Sequence, residues 1–573
     1  MPSDRRHYVL LPLAAFLAVL PLLLRGCSCG HDFDFHIISW FEAARQFAHG
    51  TLHPHWAYTP AWNAGEPRFV FYPPLSWTLG GLLGLLLPWP WTPIVFTWIA
   101  LTAAGFALHH AVRGFATANA ALLAAAIYIT NPYTLYTVYE RTAYAELLAA
   151  AWLPLLLHAV LRERTSIRSI AVPIALLWLT NAPAAVMGCY AAAAIMLLRI
   201  VFARLRKTPL PQGLILRSIA GVLLGLGLAA FYIIPAVYER HFVQISMAIL
   251  PGLSPHDNFL FRHTTDPDHD TVLRTASILA LVVIALTTTI LLALYLRKDK
   301  SNPQALLSRR SRQINASELL PLLLALTLLI AFMLTPLSEP LWNGLPQLRF
   351  LQFPWRLLAI VAVVFAFGVA LAASHLRERT GALAALAAIA FTLPAYAAFH
   401  QICYPEDTLA ERLAIFQSAN PGTDPTDEYT PVTGDNDVLA KTNPAYWLAS
   451  SASSAPPPGS VSSPAPSRLD LAPTAPAILV LNLRDYPAWT ITRNGQTITT
   501  RLHRDDGLIA LPLPAGPSHI RLVYTTPPDQ NLGYLLSTLC LLALTMIIVR
   551  NARASGIVFP EEPAEVRILS SLP

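Results

Sequence analysis

Tyr8-Val-Leu-Leu-Pro-Leu-Ala-Ala-Phe-Leu-Ala-Val-Leu-Pro-Leu-Leu-Leu24 runs directly into Arg25-Gly-Cys-Ser-Cys-Gly-His-Asp-Phe-Asp-Phe-His36. The first stretch is uncharged and close to the ~20 apolar residues that cross a hydrocarbon core. The second sets two carboxylates, Asp32 and Asp34, between two imidazoles, His31 and His36, where that helix leaves the bilayer. Ionisable groups at such a rim lose hydration unless water, a cation or a substrate meets them. Together the two stretches predict a membrane frame that holds a loop, Cys27 to Leu75, over its outer surface.

Composition agrees. Of 573 residues, 54% are hydrophobic and 13% charged, against roughly 25% charged in soluble chains. The net charge of +6 comes from Lys and Arg in short segments between apolar runs, which is positive-inside patterning and calls for no nucleic acid. Asp4-Arg-Arg-His-Tyr-Val-Leu10 superficially resembles a twin-arginine signal and Gly26-Cys27 a lipoprotein site, but Arg25 and the many spans that follow favour a retained first helix. The five cysteines have no metal spacing; Cys27 and Cys403 fall on the same outer side and are able to pair.

Spans are expected at 8–24, 92–112, 116–131, 147–161, 168–182, 184–203, 214–236, 272–296, 318–336, 355–375, 381–399 and 532–549. The apolar segment 73–88, bounded by Pro73-Pro74 and Pro88-Trp-Pro-Trp91, is the ambiguous one. If it crossed, Arg162, Arg164, Arg168, Arg204, Arg206 and Lys207 would face outward. As an interfacial helix it leaves them inside, with 297–312, 375–379 and 550–553, so the charge rule selects the interface and twelve spans.

The domain plan is a transmembrane domain over 1–399 with its first outer loop at 25–91, an outer region over 400–476 and a β module over 477–530. A last span at 531–550 and an inner tail at 551–573 complete it. Ser450–Ser467 is a Pro/Ser/Ala linker that cannot bury a core. Strands are expected at 477–483, 489–493, 496–501, 508–513 and 519–525, with Asn494-Gly495 as a type I′ hairpin. The fold class is therefore an α-helical polytopic membrane protein with a small β-sandwich-like module outside.

Asp32 and Asp34 with His31 and His36 suit a catalytic base, a divalent-ion site or a polar helix cap. Tyr139-Glu-Arg-Thr-Ala-Tyr-Ala-Glu146 starts a helix in the second outer loop, where Glu140 and Glu146 are placed to complete an ion site and Arg141 to hold phosphate. Arg349-Phe-Leu-Gln-Phe-Pro-Trp-Arg356 offers two guanidiniums for phosphate and Trp355 as a shelf for a lipid chain; the alternative is ordinary snorkelling. Arg240-His241 and the stretch from His256 to Asp270 read as solvated loops. The sequence contains no Walker loop, dinucleotide fingerprint or Gly-x-Ser-x-Gly elbow.

The acidic motif after the first span, the juxtamembrane Tyr72-Pro-Pro-Leu75 helix and the acids of the second loop resemble the GT-C superfamily of polytopic glycosyltransferases. His31-Asp32, His36, Tyr72-Pro-Pro-Leu75, Gln352-Phe-Pro-Trp-Arg356 and Glu428-Tyr429 also resemble a bacterial membrane family described as 6-pyruvoyl-tetrahydropterin synthase-related. Tyr486-Pro-Ala-Trp489, Asn494-Gly495 and Pro514-Ala-Gly516 resemble the C-terminal part of YfhO-like membrane proteins. The GT-C resemblance implies a membrane lipid, a polyprenyl-phosphate sugar, as donor and a glycan, lipid or protein as acceptor. It implies a base or metal ligand at Asp32 or Asp34, with His36 as a further ligand if Mg²⁺ or Mn²⁺ binds, and inverting transfer at the periplasmic face of a bacterial inner membrane. It places His31, His36, Tyr72, Glu140, Arg141, Glu146, Arg349 and Arg356 around the substrate. Glu140 and Glu146 stand where aminoarabinose transferases have Asp, so metal use is not implied equally. The alternative from another class is a non-catalytic polysaccharide or lipid transporter or assembly scaffold. Transporters gather ionisable sites at mid-bilayer, often in repeated halves; these acids gather at the rim.

The charge pattern makes a direct prediction. In cells with a permeable outer membrane, a single cysteine at Ser166 resists an impermeant thiol reagent and one at Ser460 reacts. Labelling at Ser166 would put 73–88 across the bilayer.

Overall fold

The computed structural model describes residues 7–163, 165–297, 316–375 and 380–554. Arg164, most of the basic segment 297–312, residues 376–379 and the tail beyond 554 lie outside the described residues. The described chain is mostly helical, with two small antiparallel sheets.

Helices dominate because a bilayer core offers the backbone no other hydrogen-bond partner. Six are long and apolar enough to cross: His7–Arg25, Trp89–Val112, Ala182–Leu205, Pro267–Leu296, Pro354–Ala372 and Pro528–Arg553. Two bent pairs raise the number to eight: Leu214–Leu228 with Ala230–Phe242 at 74°, and Glu318–Met333 with Pro336–Gly344 at 93°. Among the described residues, six to eight helices meet this length and composition, against the twelve spans expected. Three of the other expected spans fall in shorter helices, Ala118–Ile129, Tyr144–Val160 and Ile167–Thr180, and the fourth falls on the 20-residue helix Thr380–Phe399. Two of the breaks carry a side-chain cap. The Asn131 side chain accepts from Tyr133 N at 2.9 Å and that of Asn181 from Ala184 N at 2.8 Å, so each asparagine caps the helix that follows, just past the ends of Ala118–Ile129 and Ile167–Thr180.

The segment expected at the interface forms the helix Pro74–Leu86, 13 residues long and too short to span. It lies against the helix Phe33–Ala48, and a Cβ on Gly80 would sit 2.3 Å from the Trp40 ring. Of the spans, Pro354–Ala372 is the central post, 89% buried, whereas Pro528–Arg553 is 11% buried and peripheral.

Seven strands form the outer module: β1 Tyr446–Ala449, β2 Arg468–Leu471, β3 Ala477–Arg484, β4 Trp489–Arg493, β5 Gln496–Thr497, β6 Leu508–Leu513 and β7 Ser518–Tyr524. The sheets run β1-β3-β6 and β2-β7-β4-β5. Leu479, Leu481, Ile509 and Leu511 of one share a core with Leu469, Ile491, Ile520 and Leu522 of the other, which is a sandwich. Two strands, β1 and β2, come from before residue 477, on either side of the Pro/Ser stretch. That stretch does pack: Ser462 is fully buried, accepts from Asn63 Nδ2 at 2.8 Å and donates to the Trp62 carbonyl at 2.6 Å.

The first outer loop is therefore clasped from above. Ala61, Trp62 and Asn63 all have positive φ, a left-handed run costing about 1–2 kcal/mol per residue. Trp62 N donates to the Thr423 carbonyl at 3.0 Å, Asn482 donates to the Trp62 carbonyl at 3.1 Å, and Lys441 lies over the indole, so later segments hold the run in place. Below, a disulfide joins Cys29 to Cys403, whereas Cys27, which the sequence only allowed to pair with Cys403, is a free thiol. The cause is local. Ser28 donates to the Tyr139 carbonyl at 2.5 Å and accepts from Gln401 N at 2.8 Å, which brings the next residue, Cys29, alongside the irregular segment 401–403.

Replacing Cys29 or Cys403 with Ser should lower stability by about 2–4 kcal/mol and destabilise in the same sense as reduction. Cys27→Ser should be near neutral. Thermal melts in detergent and non-reducing peptide mapping check this; a Cys27–Cys403 peptide would contradict it.

Candidate functional site

The second outer loop makes the site floor. After the Asn131 cap come the short helix Pro132–Tyr136, a π turn Thr137–Arg141 and Thr142 with φ of +47°. Inserted turns and left-handed non-glycine residues of this kind gather at functional sites. Here they aim Glu140 and Arg141 back toward the first loop. The approach is close: a Cβ on Gly30 would lie 2.1 Å from the Glu140 carbonyl oxygen, and Asp32 N donates to the Arg141 carbonyl at 2.9 Å. Only glycine fits at residue 30.

Arg141 is at the centre and buried. Its Nη1 donates to Glu146 Oε2 at 2.7 Å, its Nη2 stands 3.5 Å from Asp32 Oδ2, and its guanidinium lies 5.1 Å from the Trp355 ring centroid. Tyr133 Oη donates to the other Glu146 oxygen at 2.7 Å. Arg356, which opens the central helix, donates Nη1 to the Leu351 carbonyl at 3.0 Å. Its Nε is 3.7 Å from Glu146 Oε2, too long for a hydrogen bond, and is buried without an acceptor. Asp32 is different from its neighbours: its side chain remains 40% exposed.

These contacts fix charge states. Burial works against the Arg141 charge, but Glu146 and then Asp32 outweigh it and keep the guanidinium protonated. Burial, then Asp32, pushes the Tyr72 phenol well up; burial, then Glu146, does the same for Tyr133, so both stay as donors. His36 is buried, edge-on to Tyr72 and Tyr144, and desolvation pulls it down to about 4 against some help from Asp32. It is a neutral imidazole at ordinary pH.

The structure thus brings Asp32, His36, Tyr72, Arg141, Glu146 and Arg356 together. Glu140 sits one residue away, accepting from Gln401 Nε2 at 2.8 Å with exposed His31 3.6 Å off. Arg349 is exposed, its guanidinium over Phe350. Asp34 has separate partners: Arg412 Nη2 lies at 2.5 Å and bridges to Asp407 at 2.8 Å, and burial raises the Asp34 carboxyl while Arg412 lowers it by less. A three-ligand metal set from Asp32, Asp34 and His36 does not fit this arrangement. Among the described residues no three His, Cys, Asp or Glu side chains gather as a metal-binding group.

Sequence reasoning missed three supports. Glu42, fully buried, accepts from Arg45 at 2.8 Å and from Thr59 N and Oγ1, both at 2.7 Å, and so shapes the first loop. Glu66 and Arg68 form a buried pair at 2.7 Å, with Arg68 also reaching Ser39 and Thr426. Arg412 belongs to a short helix, Leu409–Gln417, with nothing in its pattern to mark it. Glu42 had a signal: an acid on the apolar helix segment Ile37–Ala44 needs partners.

The fold and site define a polytopic helical membrane protein with a buried ion cluster at one rim and a β sandwich packed over it. No family model matches the chain, and no curated protein does. Among solved structures, the chain is similar to the arabinofuranosyltransferase AftD from Mycobacteria, with 19% identity and a TM-score of 0.40. The match covers 68% of this chain and 26% of that one, so the chain spans about a quarter of the length of its counterpart.

The buried neutral His36 gives a pH test. The unfolded chain takes up a proton near pH 6.5, the folded chain only near 4, so the stabilisation of the fold is complete above about 6.5 and falls as pH drops toward 4. At pH 5 the loss is about 2 kcal/mol relative to His36→Asn. Denaturation of both chains at pH 7.5 and 5 reads it out; equal pH slopes would show that His36 protonates freely in the fold.

Proposed function

We propose that the chain is a glycosyltransferase of GT-C type that moves a sugar from a polyprenyl-phosphate donor to an acceptor hydroxyl. The observation that supports this best is a half-exposed carboxylate, Asp32, held against a buried arginine pair of which one member, Arg356, has an unengaged Nε. A buried cation with a free donor suits an anion that arrives with a ligand. The donor enters from the bilayer beside the central helix, its phosphodiester against Arg141 and Arg356 and its chain along Trp355. Tyr72 and Tyr133 stay protonated and His36 neutral, so none of them competes for the donor's position with charge.

Asp32 takes the proton of the acceptor hydroxyl as that oxygen attacks the anomeric carbon. The bond from that carbon to the phosphate oxygen breaks, the configuration inverts and the lipid phosphate leaves with one more negative charge. Before the step, Arg141 and Arg356 are balanced by Glu146 and Asp32. Once Asp32 is protonated the cluster carries a net positive charge, which faces the leaving phosphate as its charge develops. No step passes through a metal. This reading places the protein in a bacterial inner membrane with the site facing the periplasm, where a disulfide such as Cys29–Cys403 persists.

Asp32→Asn should retain folding and co-purified donor lipid but lower transfer by roughly 10²–10⁴-fold. Asp34→Asn should be much milder, since that carboxylate is committed to Arg412. The readout is mass spectrometry of native lipids bound to the purified protein, followed by turnover of the lipid found. Full turnover in Asp32→Asn would reject the base. Lack of any polyprenyl phosphate among the bound lipids, with both variants functional in cells, would favour a scaffold.

A further inference from the structure

A second cluster of buried acids lies away from the donor site, where the sandwich meets the membrane helices. Glu239 ends the helix Ala230–Glu239, and Asp529 and Gln530 begin the helix Pro528–Ala554. Tyr486, in the turn after β3, donates its hydroxyl to Glu239 Oε2, and Gln530 Nε2 donates to Glu239 Oε1 at 2.9 Å. Asp529 lies against the same carboxylate. Glu239 is 1%, Asp529 9% and Gln530 0% exposed.

Glu239 is met by two neutral donors. Both Asp529 oxygens are buried with no donor. An ionised pair left in that condition is strongly destabilising. The independent sign comes from a neutral group. The amide of Gln530 is held by its nitrogen on Glu239 at 2.9 Å, and the oxygen of that same amide is buried and without a donor. Three orphan oxygens next to a second carboxylate form an all-oxygen environment, the preference of hard cations. A shared proton would answer the carboxylate pair alone and leave the Gln530 oxygen unmet.

We propose that this junction binds a hard divalent cation, with Asp529 and the Gln530 side-chain oxygen as ligands and Glu239 beside them. The ion fastens the last membrane helix and the sandwich to the helix that ends at Glu239. With only two carboxylates, the remaining places fall to neutral oxygens and water, which sets a modest affinity suited to an extracytoplasmic compartment. The inference is independent of the transfer reaction and stands or fails without it.

The test uses the full chain in detergent, stripped with chelator and titrated with Ca²⁺ or Mg²⁺ while thermal unfolding is followed. Equilibrium binding of radioactive calcium runs in parallel. The expected result is about one calcium bound per chain with a saturable rise in melting temperature, larger for Ca²⁺ than for Mg²⁺. Asp529→Asn should fold, because it removes charge at constant shape, but lose both the binding and the rise; Gln530→Met should bind at least several-fold more weakly. A melting temperature indifferent to both ions overturns the proposal. So does an equal rise in the wild type and Asp529→Asn. A melt that ignores metal but falls with rising pH in the wild type alone assigns the pair a shared proton instead, and also overturns it.

Discussion

One guanidinium, buried and obliged to stay charged, ties three distant parts of the chain together. Arg141 is neutralised by Glu146 from its own loop, approached by Asp32 from the first loop and stacked by Trp355 at the head of the central helix. Removing the buried partner Glu146 would leave that charge uncompensated at a cost of about 3–5 kcal/mol, whereas the half-exposed Asp32 is backed by water. The close backbone contact at Gly30 and the Cys29–Cys403 bridge add to this tie, since they fix the loop that carries Asp32.

Around that point the molecule divides its labour. The apolar helices supply a low-dielectric wall in which the arginines keep their strength. The sandwich, through Trp62 and Ser462, immobilises the outer half of the first loop. Pro354–Ala372, the most enclosed span, fixes Arg356. The Asp34–Arg412–Asp407 chain attaches the segment after the disulfide to the start of the helix Phe33–Ala48, and is support rather than chemistry.

Much of this was legible in the sequence, for physical reasons. Acids and arginines at the ends of apolar runs are costly to leave unpartnered, and Asp32, Arg141, Glu146 and Arg356 do converge. What sequence could not separate was Asp32 from Asp34. Two positions along a helix start differ by roughly 200° around its axis, so the pair faces different partners. Cys27 and Cys29 were equally indistinguishable by side of the membrane; the Ser28 hydrogen bonds chose between them. Hydropathy counted twelve spans because it scores apolar content and not the length of helix the backbone forms, which is 12 residues at Ala118–Ile129 and 14 at Ile167–Thr180. The four-residue strands β1 and β2 flank a proline-rich stretch and show their place only when β3 and β7 pair with them.

The bridge from residue 29 to residue 403 also has a history in time. Its second cysteine is synthesised 374 residues after the first, which at roughly 5–20 residues per second is a delay of roughly 20–75 s. Throughout that interval Cys29 has no mate, and the free thiol of Cys27 lies two positions away. The partners of Trp62 arrive later still. The rim nearest the N-terminus is thus among the last parts of the molecule to become structured, and a nascent chain stalled before residue 403 would expose two unpaired thiols to any oxidant or chaperone at the membrane surface.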